Sequence, residues 1–380
     1  MNARASLFSG SPDSPAQKGS SAMRDRSVDL QRGILVILML YAHILQFFGD
    51  AQLFPWADLW VNGISLLAFP TFVFCFGRTV AMAYLKKPFR QALPRMGRTL
   101  LRCLAAFYVS GAAYRVLRER KPLGAGTLRN IFLLNDIPGW SEFLIAFALL
   151  MLAAIVLFPL LRQITCRRWL WLPLSIPCLL GCFLPYDRIT VPQLALLIGS
   201  RSYVTFPVLQ YFPFFLAGVA YTGARLRERL GMGGVAVIFS AAGLVWYVRH
   251  GLPERFPPHW AWILLPCFAI ALLTALCHVL CRLPGEKYWL PVEWLRRMLS
   301  HFGGASLYYL TASNLVLFTL AGAGMAPQLS RKGPWPWNQV IQSPAGAFSW
   351  LIVLLALLWF IARLAGRGSA GKSPKARISN

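Results

Sequence analysis

Apolar residues recur along almost the whole chain in runs separated by short polar or Pro- and Gly-containing joints. A helix needs about 20 predominantly apolar residues to cross the hydrocarbon of a bilayer. Such runs must span as helices, because lipid offers no partner for an open backbone hydrogen bond. The pattern predicts ten spans, near 33–49, 59–85, 99–117, 138–161, 169–186, 202–222, 232–249, 259–281, 300–323 and 346–365. The expected fold class is therefore an all-α polytopic membrane protein. Residues 1–23, rich in Ser, Pro, Ala and Gly, are expected to be a disordered tail. Residues 24–365 form one transmembrane domain, and residues 366–380 a basic cytoplasmic tail.

The first span is the most informative. Its entrance, Arg24 to Gly33, alternates charged and polar residues with a few apolar ones, and an unbroken apolar helix follows, ending at His43. His43 lies eleven residues past Arg32. At about 1.5 Å of rise per residue this is roughly 16 Å along the axis, about half the hydrocarbon thickness. A histidine at such depth usually faces the protein interior or a wet cavity. Imidazole is also the side chain best matched to proton transfer near neutral pH. The residues alone leave two readings open, a general base and a structural interhelical hydrogen bond.

Composition agrees with the spans: 57% of residues are hydrophobic and only 13% charged, and the mean hydropathy is +0.54. The net charge of +25 raises the question of nucleic acid, but its distribution answers it. With the N-terminus inside, and residues near span ends assigned to the nearer face, 26 of the 38 Lys and Arg residues are inside and 11 outside, with Arg78 within a span. This is the positive-inside asymmetry, which predicts that both termini are cytoplasmic. The charge then reflects topology and contact with anionic lipid, and no nucleic-acid partner is expected. Cys75, Cys103, Cys178, Cys182, Cys267 and Cys277 fall inside apolar spans, where cysteine behaves as a small hydrophobe. Cys277, His278 and Cys281 lie close on one helix but have no further ligand nearby in sequence, so no metal site is expected.

Two outer loops carry charge worth noting. Residues 50–58 hold Asp50 and Asp58 and no cation, close to the end of the His43 helix. Residues 118–137 are basic against the topological rule, as a site for an anionic glycan or as a surface segment paired with headgroups. Glu142 opens the fourth span, either as an intramembrane carboxylate with a function or as a first-turn residue favoured by the helix dipole.

Arg32-Gly33 followed by the apolar run to His43 resembles the first-helix signature of the acyltransferase-3 membrane proteins. The lead-in Ser27-Val28-Asp29-Leu30 resembles that of the related heparan-α-glucosaminide N-acetyltransferase-like proteins. Phe69-Pro70-Thr71-Phe72-Val73-Phe74-Cys75-Phe76-Gly77 is similar to the FP-x-FVF-x-x-G helix of that second group. Lys86, Lys87 and Arg90, continuing through Arg95, Arg98 and Arg102, resemble the basic inner loop that opens the third span. The stretch from Phe206 to Gly218 is similar to an FP-x-L…FF-x-x-G helix, and Ser306-Leu307 to the start of S-L-x-x-Y-x-x-H. The resemblance covers about residues 24–323. It departs at Phe76, where a serine is common, and at Leu310 and Ser313, which hold the Tyr and His positions of the ninth span.

The resemblance implies transfer of an acyl group, commonly acetyl, from a cytoplasmic acyl-CoA to a hydroxyl or amine of a cell-envelope glycan or lipid-linked sugar, with O-acyl transfer the leading form. It implies an inner-membrane location, acyl-CoA as donor substrate and no permanently bound cofactor. His43 is expected as general base, with Arg32 at the mouth of a channel for the donor's acyl arm. Lys86, Lys87, Arg90, Arg95 and Arg98 are expected to hold the donor's phosphates. Asp50, Asp58 and Glu142 are expected near the acceptor. Two other readings stand beside this one: a transporter or flippase of a glycan, lipid or small metabolite, and a membrane partner that keeps the fold without the chemistry.

Overall fold

The computed structural model describes residues 25–49, 55–282, 290–325 and 344–370. Those residues are mostly helical and, among them, no strand occurs. Asp50 and most of the two expected tails lie outside them, although the last helix, Pro344–Ala370, runs five residues past the expected domain end. Among the described residues, seven helices are long and apolar enough to cross a membrane. An eighth span results if the pair Glu142–Val156 and Phe158–Cys166, bent by 79° at its break, is taken as one. Pro159 sits in the first turn of the second member, where its missing N–H costs nothing to the new helix but cannot continue the old one. The expected fifth and sixth spans are shorter apolar helices, Arg168–Phe183 and Val208–Tyr221. Pro185, Gly199 and Pro207 break the chain around them, and Gly199 adopts φ +85°.

We number the helices that position the site in chain order. These are α1 (Arg26–Phe48), α2 (Pro55–Val80), α3 (Phe89–Ala113), α4 (Ala125–Phe132), α5 (Glu142–Val156), α6 (Phe158–Cys166), α7 (Trp171–Leu180), α8 (Pro192–Ile198), α9 (Val208–Tyr221) and α10 (Leu226–His250). Then follow α11 (Trp260–Leu264), α12 (Cys267–Arg282), α13 (Leu290–Gly304), α14 (Ser306–Leu320) and α15 (Pro344–Ala370). Helix α1 lies at the centre, packed against α2, α12, α13, α14 and α15. By contrast α10 turns almost all of its surface outward, with 6% of its apolar window buried.

Two backbone crossings hold this arrangement. A Cβ added at Gly33 of α1 would fall 2.0 Å from the Leu299 carbonyl oxygen of α13, and one at Gly303 would fall 1.7 Å from that of Asp29. Likewise, a Cβ at Gly77 of α2 would meet the Phe215 carbonyl oxygen of α9 at 2.1 Å, and one at Gly218 that of Phe74 at 2.1 Å. Each crossing is thus reciprocal, and only glycine lets the two backbones touch. Such small-residue contacts are the main source of helix association where lipid removes the hydrophobic drive.

The basic segment after α2 differs from expectation. Arg90, Arg95 and Arg98 are on α3 and not in a loop, because α3 begins at Phe89. Ala92, Met96, Cys103 and Phe107 recur at helical spacing and are buried, which draws the helix ten residues further toward its start than the apolar run alone suggested.

Candidate active site

Gly33, Arg32 and His43 share one helix, and eleven residues make just over three turns, so Arg32 and His43 point to nearly the same face. Met39, His43 and Gln46, at helical spacing, line a cavity of about 310 Å³. Ser65 of α2, Trp140 and Glu142 at the start of α5, and Arg255 in the 251–259 joint line it from other sides. His43 and Glu142 are 6% and 8% exposed. His43 Nδ1, Glu142 Oε2 and Arg255 Nε have no hydrogen-bond partner, although each is buried. Buried polar atoms are rarely left in that condition. Three of them around one cavity make it the candidate site for a polar ligand.

Trp140 is held against His43 by a polar cluster. Asn314 of α14 donates to the Trp140 carbonyl at 3.1 Å and to Ser110 Oγ of α3 at 3.0 Å, and Ser141 Oγ donates to the same Ser110 Oγ at 2.9 Å. Trp140 takes φ +67°, a left-handed conformation that costs energy in a non-glycine residue and recurs at functional sites. Its ring meets His43 edge-on at 5.2 Å and Phe47 at 4.4 Å. Asn314→Ala is expected to destabilise the solubilised protein by about 1–3 kcal/mol, the usual cost of unpaired buried groups. Thermal unfolding of the two proteins side by side measures it.

At the opposite end of α1, Arg32 donates from Nη2 to Ser306 Oγ of α14 at 2.7 Å, joining two of the quoted motifs. Beside it lies a second polar cluster that sequence reasoning missed. Arg78 of α2, 2% exposed, donates to Asp25 Oδ2 at 2.8 Å and to Ser27 Oγ at 3.1 Å. Gln31 extends the cluster to Thr274 of α12 at 2.9 Å. The Arg78 guanidinium also sits 5.2 Å from the centroid of the Tyr221 ring of α9, so that four helices meet on these charges. Read singly, Asp25 caps a helix and Arg78 is an odd charge in a span; only the α1–α2 packing reveals the pair.

Burial alone would raise the Asp25 carboxyl, but the Arg78 guanidinium and the Ser27 hydroxyl and N–H outweigh it and hold it below its ordinary 3.8. A carboxyl lowered in the folded state adds stability above its ordinary value and loses it as pH falls through and below that value. Melting temperature is therefore expected to drop as pH falls below about 4, with the Asp25→Asn protein showing a shallower acid limb. An identical acid limb in both proteins would contradict this.

The remaining expected site residues distribute unevenly. Glu142 lines the cavity, as anticipated for an acceptor-side carboxylate. Asp58 is exposed in the first turn of α2 and does not line it. Lys86, Arg90, Arg95 and Arg98 are exposed and Lys87 half-buried near the Arg32 end; none of the five lines the His43 cavity. A groove of about 610 Å³ beside them is lined by Phe89, Phe158, Arg162 and Arg167, which adds two cations not anticipated there. In the basic joint 118–137, Arg115 of the preceding helix pairs with Glu119 and Asp136. The departures from the motifs have packing roles. Phe76 meets Phe147 and Phe215 at 5.3 and 6.1 Å between ring centroids. Ser313 is fully buried and donates to the Leu310 carbonyl at 3.0 Å.

Arg255 is the cavity residue the sequence concealed. It lies in the joint between α10 and α11, where a single arginine reads as ordinary surface charge. A signal was present in its context, Pro-Glu-Arg-Phe-Pro-Pro, since prolines on both sides fix a joint that can turn inward. Comparison with family models, curated proteins and solved structures finds no match for this chain.

Proposed function

We propose that this chain is an integral membrane acyltransferase that moves an acyl group, the two-carbon acetyl as the leading case, from a cytoplasmic acyl-CoA to a hydroxyl or amine of an envelope glycan or lipid-linked sugar. The observation that carries this reading is His43: a buried imidazole with a free ring nitrogen, facing a polar cavity on the same helix face as Arg32. In the proposed step the unprotonated imidazole takes the proton of the acceptor hydroxyl as its oxygen attacks the thioester carbonyl carbon. The carbon–sulfur bond then breaks, and the proton passes to the departing thiolate of CoA. The charge asymmetry supports cytoplasmic termini, with Arg32 and the cations of α3 facing the donor and the His43 cavity facing the opposite leaflet. Purified protein in nanodiscs, given radiolabelled acetyl-CoA and an extract of envelope glycans, should yield labelled glycan. No label above a protein-free control would refute the reading.

One observation favours transport instead. The 79° break between α5 and α6 is a discontinuous span beside the groove lined by Phe158 and Arg162, a feature common in secondary transporters. Sealed vesicles decide between the two: substrate flux without any acylated product would support transport.

A further inference from the structure

The joint 251–259 brings Arg255 to the His43 cavity, opposite Glu142. Its guanidinium carbon sits 4.5 Å from the centroid of the Phe256 ring and 5.4 Å from that of Phe206, so two aromatic faces fix the plane of the group. Arg255 forms none of the ion pairs found among the described residues. Glu142, which lines the same cavity, forms none of them either. A partly buried guanidinium without an anion is costly, and its rigid fork matches a carboxylate in a two-point contact.

The cavity limits what can supply that carboxylate. At about 310 Å³ it lies at the small end of the range for small-molecule sites, roughly 300–1,000 Å³, and suits one sugar ring. Its wall holds one cation and one carboxyl group beside the neutral amide of Gln46 and hydroxyl of Ser65. A phosphate monoester brings about −1.5 to −2 charges at pH 7, which Glu142 would oppose. A sugar carboxylate brings one charge, which matches the single positive charge of Arg255 and meets less of that repulsion. Glu142 then accepts from ring hydroxyls, which are donors.

We infer that this cavity binds an acidic sugar unit, a hexuronate, with its carboxylate on Arg255 and its hydroxyls toward Glu142 and His43. The binding geometry stands on the cavity itself; the identification of the bound sugar as acyl acceptor rests on the function proposed above.

Saturation-transfer NMR on the full chain in nanodiscs tests the site with three probes: methyl β-D-glucuronide, methyl β-D-glucoside and glucose 1-phosphate. The expected result is glucuronide binding at least about tenfold tighter than glucoside, the worth of one good charge-assisted contact. Arg255→Gln should erase that preference and Arg255→Lys should keep part of it, while His43→Ala should retain it. Size-exclusion profiles confirm that each variant is folded, and the Lys variant serves if the Gln variant is not. Equal binding of the sugars by the wild type, a preference that survives Arg255→Gln, or tighter binding of the phosphate would overturn the inference. Preference for glucuronide without acyl transfer would leave the site standing and remove the acyltransferase reading. Transfer to neutral sugars that is indifferent to Arg255 would do the reverse.

Discussion

His43→Ala should abolish acyl transfer while the protein still inserts, purifies as a single species and melts close to the wild type. The expected loss is about 10²–10⁴-fold, the range for a general base. The side chain is 6% exposed and its Nδ1 has no partner, so its removal breaks no hydrogen bond made by that atom. A structural histidine would behave oppositely, with stability falling and the surviving folded fraction retaining full turnover. The diagnostic measurement is therefore turnover per folded molecule, from single-turnover kinetics normalised to the monodisperse peak. His43→Gln refines the test. It restores a polar group of similar reach but no basic nitrogen, so it should stay inactive. Turnover near the wild-type value in either variant would exclude His43 as the base.

The second large effect concerns the fold. Gly77→Val places a side chain against the Phe215 carbonyl, where even a Cβ would sit at 2.1 Å. The neighbour is backbone and cannot swing aside, so α2 and α9 must separate. Overpacking of this kind costs about 1–3 kcal/mol where side chains can adjust and more where they cannot, so the expected outcome is loss of monodisperse protein on size-exclusion chromatography. Gly231→Val is the matching control, since a Cβ there meets nothing within 4 Å on exposed α10. It should behave as the wild type. Normal yield and melting of Gly77→Val would show that the crossing is not tight.

The helical membrane architecture and the place of His43 on the same helix as Arg32 were legible in the sequence because each depends on a local pattern. A span announces itself by apolar length, and the Arg32–His43 spacing needs only the helical rise. Glu142 was found for the same reason, as a carboxylate at the start of an apolar run. What escaped was anything made by contact between distant segments. Arg78 became intelligible only beside Asp25, 53 residues away. Asn314 carries no local signal, because its partners Ser110 and Trp140 lie 204 and 174 residues away. Arg255 looked like surface charge. The two shorter helices were misread as full spans because composition counts apolar residues and does not see the proline and glycine breaks as ends. The start of α3 was misplaced by the same emphasis, since its buried stripe is interleaved with arginines.

The four crossing glycines also set where the bundle can give. Gly33, Gly77, Gly218 and Gly303 hold α1, α2, α9 and α13 together around the Arg32 end, so the frame has a pivot there and its lever arm reaches toward His43. A tilt of about 5° about that pivot moves groups roughly 16 Å away by about 1.4 Å, comparable to the displacement that makes or ruins a reactive alignment. A change in bilayer thickness that tilted these helices would, by the same geometry, change the width of the cavity without touching a residue that lines it.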